Sequence, residues 1–175
     1  MKKGKTIWLF GRSGSGKTTL AKEFIKQWKD EQNPIVLLDG DILRASISKD
    51  LGFSVFDRME QNRRAACMAK ILNNQGFHVL AALISPTEEI RDAIAHEIGK
   101  ENIVFIWINC SIETCISRDV KQLYAKEKIQ APDDFQSIQH PFEAPNKQCL
   151  SIITEGTEIH DCVAELLAIC QQSFQ

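Results

Sequence analysis

No stretch of this 175-residue chain comes near the roughly twenty consecutive apolar residues that a membrane-crossing helix requires. Proline occurs five times, three of them in one short segment, and no low-complexity stretch, repeat or linker divides the chain. A charge excess is missing too. The 21 Lys and Arg against 23 Asp and Glu leave −2, which argues against a general nucleic-acid binder, and 43% hydrophobic residues exclude a disordered chain. Among the six cysteines (Cys67, Cys110, Cys115, Cys149, Cys162, Cys170) there is no Cys-x-x-Cys pair and no histidine partner at zinc-finger spacing. They read as buried reduced thiols rather than metal ligands. The apolar run at residues 7–10 is too short for a signal-peptide core. One soluble domain over residues 1–175 in a reducing cytoplasm is expected, with neither membrane nor nucleic acid as a partner.

What is present is unevenly placed. Residues 1–64 hold 13 Lys and Arg and 8 Asp and Glu, net +5, so the remainder carries −7. Something anionic is expected to dock on the first third.

Short apolar, β-branched runs at residues 6–10, 35–38, 77–84, 103–109 and 150–153 alternate with segments of helical period at 17–30, 57–75, 88–99, 112–128 and 158–173. The runs are apolar on both faces, the pattern of a parallel sheet covered by helices, so the fold class is α/β with five parallel strands. Residues 130–147 break the alternation and hold Pro132, Pro141 and Pro145. A loop of that length in a compact domain is usually functional, and a lid at about 128–147 is expected, with a plain surface excursion as the alternative.

The first strand runs into Gly11-Arg12-Ser13-Gly14-Ser15-Gly16-Lys17-Thr18 and then a helix, matching G-x-x-x-x-G-K-[ST] in its strand–loop–helix context. This predicts a P-loop. Its glycines let successive N–H groups turn inward on phosphate oxygens, and the helix N-terminus adds partial positive charge. Lys17 is placed to reach the β- and γ-phosphates and Thr18 to ligate Mg²⁺, with Thr19 continuing the nucleotide-binding set into the helix.

The second strand ends in Asp39-Gly40-Asp41, which puts two carboxylates at the carboxyl edge of the sheet, where ligands bind in α/β folds. Such carboxylates can hold metal-bound water and take a proton from an attacking hydroxyl, although Asp-Gly is also ordinary turn chemistry. Arg44, Lys49, Arg58, Arg63 and Arg64 follow, and the planar guanidinium suits a second anion site. Lys49 and Arg63 read better as solvated helix charges.

In order and spacing, Leu38-Asp39-Gly40-Asp41-Ile42-Leu43-Arg44, Asp50-Leu51-Gly52-Phe53-Ser54, Asp57-Arg58, Arg63-Arg64, Ile84-Ser85-Pro86 and Arg118-Asp119-Val120-Lys121-Gln122-Leu123-Tyr124 resemble the adenylyl-sulfate (APS) kinases over roughly residues 5–145. The resemblance implies a P-loop kinase that moves the γ-phosphoryl of ATP, with Mg²⁺, to the 3′-hydroxyl of adenosine 5′-phosphosulfate, in a role such as sulfate assimilation. On that reading Asp41 lies near the acceptor hydroxyl as base or as a ligand to Mg²⁺-bound water, with Asp39 beside it. Arg118 joins the nucleotide-binding residues, and Lys121 steadies phosphates from the lid. Arg44, Arg58 and Gln61 would grip the acceptor's tail, with Ile84 lining its pocket. Phe53 and Phe135 would sandwich its base, unless each is a plain core aromatic. Ser85 falls on the family's serine, which either forms a phosphoserine or lines the acceptor pocket, the lining role being favoured. The resemblance also leaves a homodimer open.

Two departures bear on the acceptor. Gln61-Asn62 stand where the family has Asn-Ile, and the lid reads Phe135-Gln136-Ser137-Ile138-Gln139-His140-Pro141-Phe142-Glu143 in place of Phe-Thr-Gly-Ile-Asp-Asp-Pro-Tyr-Glu. They leave open a sibling acceptor, another 5′-modified nucleotide such as cytidine diphosphoramidate in capsule modification. A non-catalytic nucleotide-binding module and a kinase of small sugars or acids complete the readings.

Overall fold

The computed structural model describes residues 3–29, 34–118, 142–145 and 149–173. β1 (Thr6–Phe10) alternates its side chains in the two-residue period of a strand, so Ile7 and Leu9 fall on one face and Trp8 and Phe10 on the other. All five residues are buried. This is the central strand of a parallel sheet of order β2-β3-β1-β4-β5, formed with β2 (Ile35–Asp39), β3 (His78–Ala82), β4 (Ile103–Asn109) and β5 (Leu150–Ile153).

Helices cover both faces. The Ile7 and Leu9 side is closed by α1 (Lys17–Gln27), through Leu20 and Phe24, and by the C-terminal helix α6 (Ile159–Ser173), through Val163, Leu166 and Cys170. The Trp8 and Phe10 side is closed by α3 (Val55–Asn74), whose Ala65, Ala66 and Ala69 allow close approach, and by α4 (Glu88–Ile98) through Ile90, Ile94 and Ile98. A short α5 (Ile112–Ser117) follows β4.

Several boundaries differ from the pattern in the sequence. α1 stops at Gln27 because Trp28 turns extended, and α3 starts at Val55 because Ser54 and Asp57 form a reciprocal capping box two residues before the expected start. β3 stops at Ala82, short of the expected residue 84, as the chain turns to put Ser85 at φ 43. The helix α2 (Gly40–Ala45) was not expected at all. Six residues show no apolar period, and it forms because Asp39 caps the N–H groups of Asp41 and Ile42. Burial on both faces holds for β1 and β3 and fails for β5, where only Ile152 is buried because the strand lies at the sheet's edge. The expected lid lies outside the described residues except for residues 142–145, as do residues 119–128 of the fourth expected helix. No described helix is long and apolar enough to cross a membrane.

Candidate functional site

Because all strands run the same way, the segments following β1, β2 and β3 meet at one edge, where a cavity of about 820 Å³ opens. That is near the top of the range of about 300–1,000 Å³ for small-molecule sites.

One half of the cavity is the loop between β1 and α1. Gly14 (φ 78) and Gly16 (φ 94) occupy left-handed backbone, and a Cβ on Gly14 would lie 2.5 Å from the Cys115 carbonyl oxygen. α1 begins after Gly16, which brings no side chain to cap the first-turn N–H groups and so leaves that role to an anion. The ammonium of Lys17 is buried against the loop, donating to the carbonyls of Gly11 (2.9 Å) and Arg12 (2.7 Å) and to Ser15 Oγ (3.4 Å). Thr18 Oγ1 donates to Asp39 Oδ2 at 2.6 Å, and the other Asp39 oxygen caps α2. Ser13, Thr19 and Arg118 also line the cavity. Arg118 donates to the Thr154 carbonyl at 3.0 Å, and Arg12 sits 5.1 Å from the centre of the Phe142 ring.

The other half is built from α2 and α3. Asp41 is exposed at the start of α2. Arg44 donates to the Gly52 carbonyl (2.6 Å) and Arg58 Nε to the Phe53 carbonyl (3.1 Å), while the two guanidiniums lie 4.5 and 5.8 Å from the Phe53 ring centre. Partial burial draws the Arg44 pKa below its ordinary value, opposed by the charges of Asp57 and Asp41. Phe53 itself is 55% exposed, which removes the core-aromatic reading. Gln61 is buried, with Nε2 on the Gly40 carbonyl at 3.2 Å and Oε1 without a partner. Ile84 completes this wall.

Ser85 departs from expectation. It is fully buried and does not line the cavity: its Oγ accepts from Trp8 Nε1 (2.8 Å) and donates to Asn62 Oδ1 (2.7 Å). Neither the lining role nor the phosphoserine role is supported by this arrangement, in which the hydroxyl is engaged on both sides and faces away from the cavity. Arg63 and Arg64 are tied to Glu60, and Arg64 also to Asp50, so they stand outside the anion site. The two guanidiniums hold the Glu60 carboxyl down to about 2. Lys121 and Phe135 lie outside the described residues. All six cysteines are free thiols, and burial pushes Cys170 up to about 12.

Sequence reasoning missed Thr154, Thr157, Ile159 and Cys162 on the cavity wall, and met Asn62 only as a departure from the family pattern. Thr154 Oγ1 braces the loop through the Ser15 carbonyl at 2.8 Å. The end of the fifth strand, at the same sheet edge as Asp39, was the available signal for it.

The family model described as adenylylsulphate kinase matches residues 3–153. The adenylyl-sulfate kinase of Paraburkholderia xenovorans (strain LB400) is 40% identical over 166 residues, covering 95% of this chain and 92% of the relative. That of Halothermothrix orenii is 35% identical over 170 residues, covering 97% and 91%. Among solved structures, the Mycobacterium tuberculosis APS kinase CysC in complex with AMPPNP and APS superposes with a TM-score of 0.88 at 30% identity, covering 98% of this chain and 99% of that one.

Proposed function

We propose that this chain, which belongs to the adenylylsulphate kinase family, transfers the γ-phosphoryl group of ATP to the 3′-hydroxyl of adenosine 5′-phosphosulfate, giving the 3′-phosphorylated product and ADP. The observation that carries this reading is a phosphate cradle and an arginine-and-aromatic subsite opening on one cavity, joined by the 2.6 Å contact of Thr18 with Asp39. The relatives named above share one activity in their names and lend no support to a cytidine-nucleotide acceptor or a non-catalytic module.

Phosphoryl transfer between two nucleotides asks for positioning and charge neutralisation more than for covalent chemistry. Lys17 and the N–H groups of the loop hold the β- and γ-phosphates. Asp41 accepts the proton of the 3′-hydroxyl as its oxygen bonds to the γ-phosphorus, while the bond from that phosphorus to the bridging oxygen breaks and ADP leaves. Arg44 and Arg58 take the acceptor's phosphosulfate, and the exposed Phe53 ring offers a stacking face to its base.

No three-residue acidic, His or Cys cluster for a metal occurs among the described residues. The Thr18–Asp39 pair nevertheless suits Mg²⁺, which in kinases takes one or two protein oxygens and completes its shell with phosphate and water. Mg²⁺ bound there would neutralise charge developing on the phosphates. Six free thiols support a cytoplasmic setting.

The test is ADP release with Mg-ATP and, in parallel, APS, AMP and 5′-modified cytidine nucleotides, with the product's phosphate position read by NMR. APS is expected to give the highest kcat/KM and a 3′-phosphate. Turnover with a cytidine nucleotide but not with APS would overturn the reading.

A further inference from the structure

Ser85 and Asn62 form a buried chain that the proposed mechanism leaves unused. The direction of each bond follows from the groups themselves. An indole N–H can only donate, so Trp8 Nε1 gives its hydrogen to Ser85 Oγ at 2.8 Å. The Ser85 hydroxyl therefore has its own proton to give, and gives it to Asn62 Oδ1 at 2.7 Å. That fixes the Asn62 amide, whose Nδ2 donates to the Arg58 carbonyl at 2.8 Å. Ser85 is 0% and Asn62 5% exposed, and each side-chain polar atom of Trp8, Ser85 and Asn62 has a partner.

The two ends of this chain touch the two halves of the cavity. On the donor side, the carbonyl of Ile84, the residue before Ser85, accepts from the N–H of Gly11 at 3.2 Å, the first residue of the phosphate loop. On the acceptor side, Asn62 sits one helical turn beyond Arg58 and next to Gln61. The Ser85 backbone is pinned as well: its carbonyl accepts from the buried Arg91 at 2.8 Å, and its φ of 43 is a left-handed value that a residue with a Cβ keeps only when its surroundings impose it.

We propose that Asn62 and Ser85 are positioning residues that set the distance between the phosphate loop and the acceptor-binding turn of α3. This rests on the reading of two nucleotides facing one another in the cavity, and not on which nucleotide is the acceptor. In-line transfer requires the attacking oxygen within about 3–3.5 Å of phosphorus, so a small slip of α3 costs rate before it costs binding.

The experiment uses the full chain and the acceptor on which the unaltered protein turns over. Asn62→Leu keeps the volume and deletes the bond. Ser85→Gly deletes the hydroxyl at a backbone position that suits glycine, so it tests the proposal even if the first variant does not fold. In each, kcat is expected to fall about 10- to 100-fold with the KM for ATP within about twofold. ADP formed per phosphorylated acceptor should rise above one as water competes with a misplaced hydroxyl. The double variant should be no slower than the worse single one, because both remove the same bond.

Unchanged kcat would overturn the proposal. So would losses that multiply in the double variant, or losses that track the folded fraction with ADP and product still in equal amounts. Failure of the unaltered protein to use APS would instead sink the acceptor assignment, and the ratio test would then be read with the acceptor it does use.

Discussion

The donor and acceptor halves of the cavity are built in opposite ways. The phosphate cradle comes from residues 11–18, one unbroken stretch whose backbone does the binding, braced by Thr154 from across the sheet. The acceptor subsite draws Asp41 and Arg44 from α2, Phe53 from the loop after it, Arg58 and Gln61 from α3, and Ile84 from the segment that follows β3. A backbone-built site tolerates varied side chains, which is why Arg12 can point away to Phe142 and leave the cradle intact. A side-chain-built site changes its ligand when one side chain changes, and both departures from the family pattern fall there or in the lid.

Substitutions can break this contrast at different depths. Lys17→Ala removes an ammonium buried against the cradle, and kcat is expected to fall at least about 100-fold; near-normal steady-state turnover would refute the donor assignment. Arg58→Ala should act only on the other half. Loss of a charged hydrogen bond, worth about 1.5–3 kcal/mol, raises the acceptor KM by about 10- to 100-fold and leaves the KM for ATP unchanged. Titration with each substrate in turn separates the two, and weakened ATP binding with an intact acceptor KM would contradict the division.

The smallest effect concerns the outer face of α3. Arg63 and Arg64 hold Glu60 at about 2 against an ordinary 4.5, so its stabilisation is complete above about pH 4.5 and is lost as pH falls toward 2. Exposed pairs of this kind contribute little, because solvent screens them. Acid unfolding of Glu60→Gln should therefore lose a shallow component in that window while activity at neutral pH stays the same, and an altered acceptor KM would show that this network reaches the site.

Legibility in the sequence followed the same contrast. Strand–loop–helix context identified the cradle because its residues are consecutive and their spacing is the chemistry. The five strands were visible as short β-branched runs, and α6 as a segment of helical period at residues 158–173. α2 was not visible, because a six-residue helix depends on the Asp39 cap rather than on a period. The place of Ser85 was not legible either: the resemblance put it at the acceptor pocket, whereas a left-handed φ and a partner 77 residues away, Trp8, turn its hydroxyl inward.

By itself the sequence determined the α/β alternation, the phosphate loop, the carboxylates after the second strand and the arginines that follow. These are properties of short stretches, where spacing along the chain equals spacing in space. Tertiary structure decided that Arg64 is spent on Glu60 and Asp50 while Arg44, Arg58 and Arg118 line the cavity, because that depends on helix phase and on neighbours far away in sequence. It also decided that Ser85 belongs to the scaffold between the two halves. A hydroxyl's role is set by the groups that face it, and Trp8 and Asn62 meet there only once the sheet and α3 have packed.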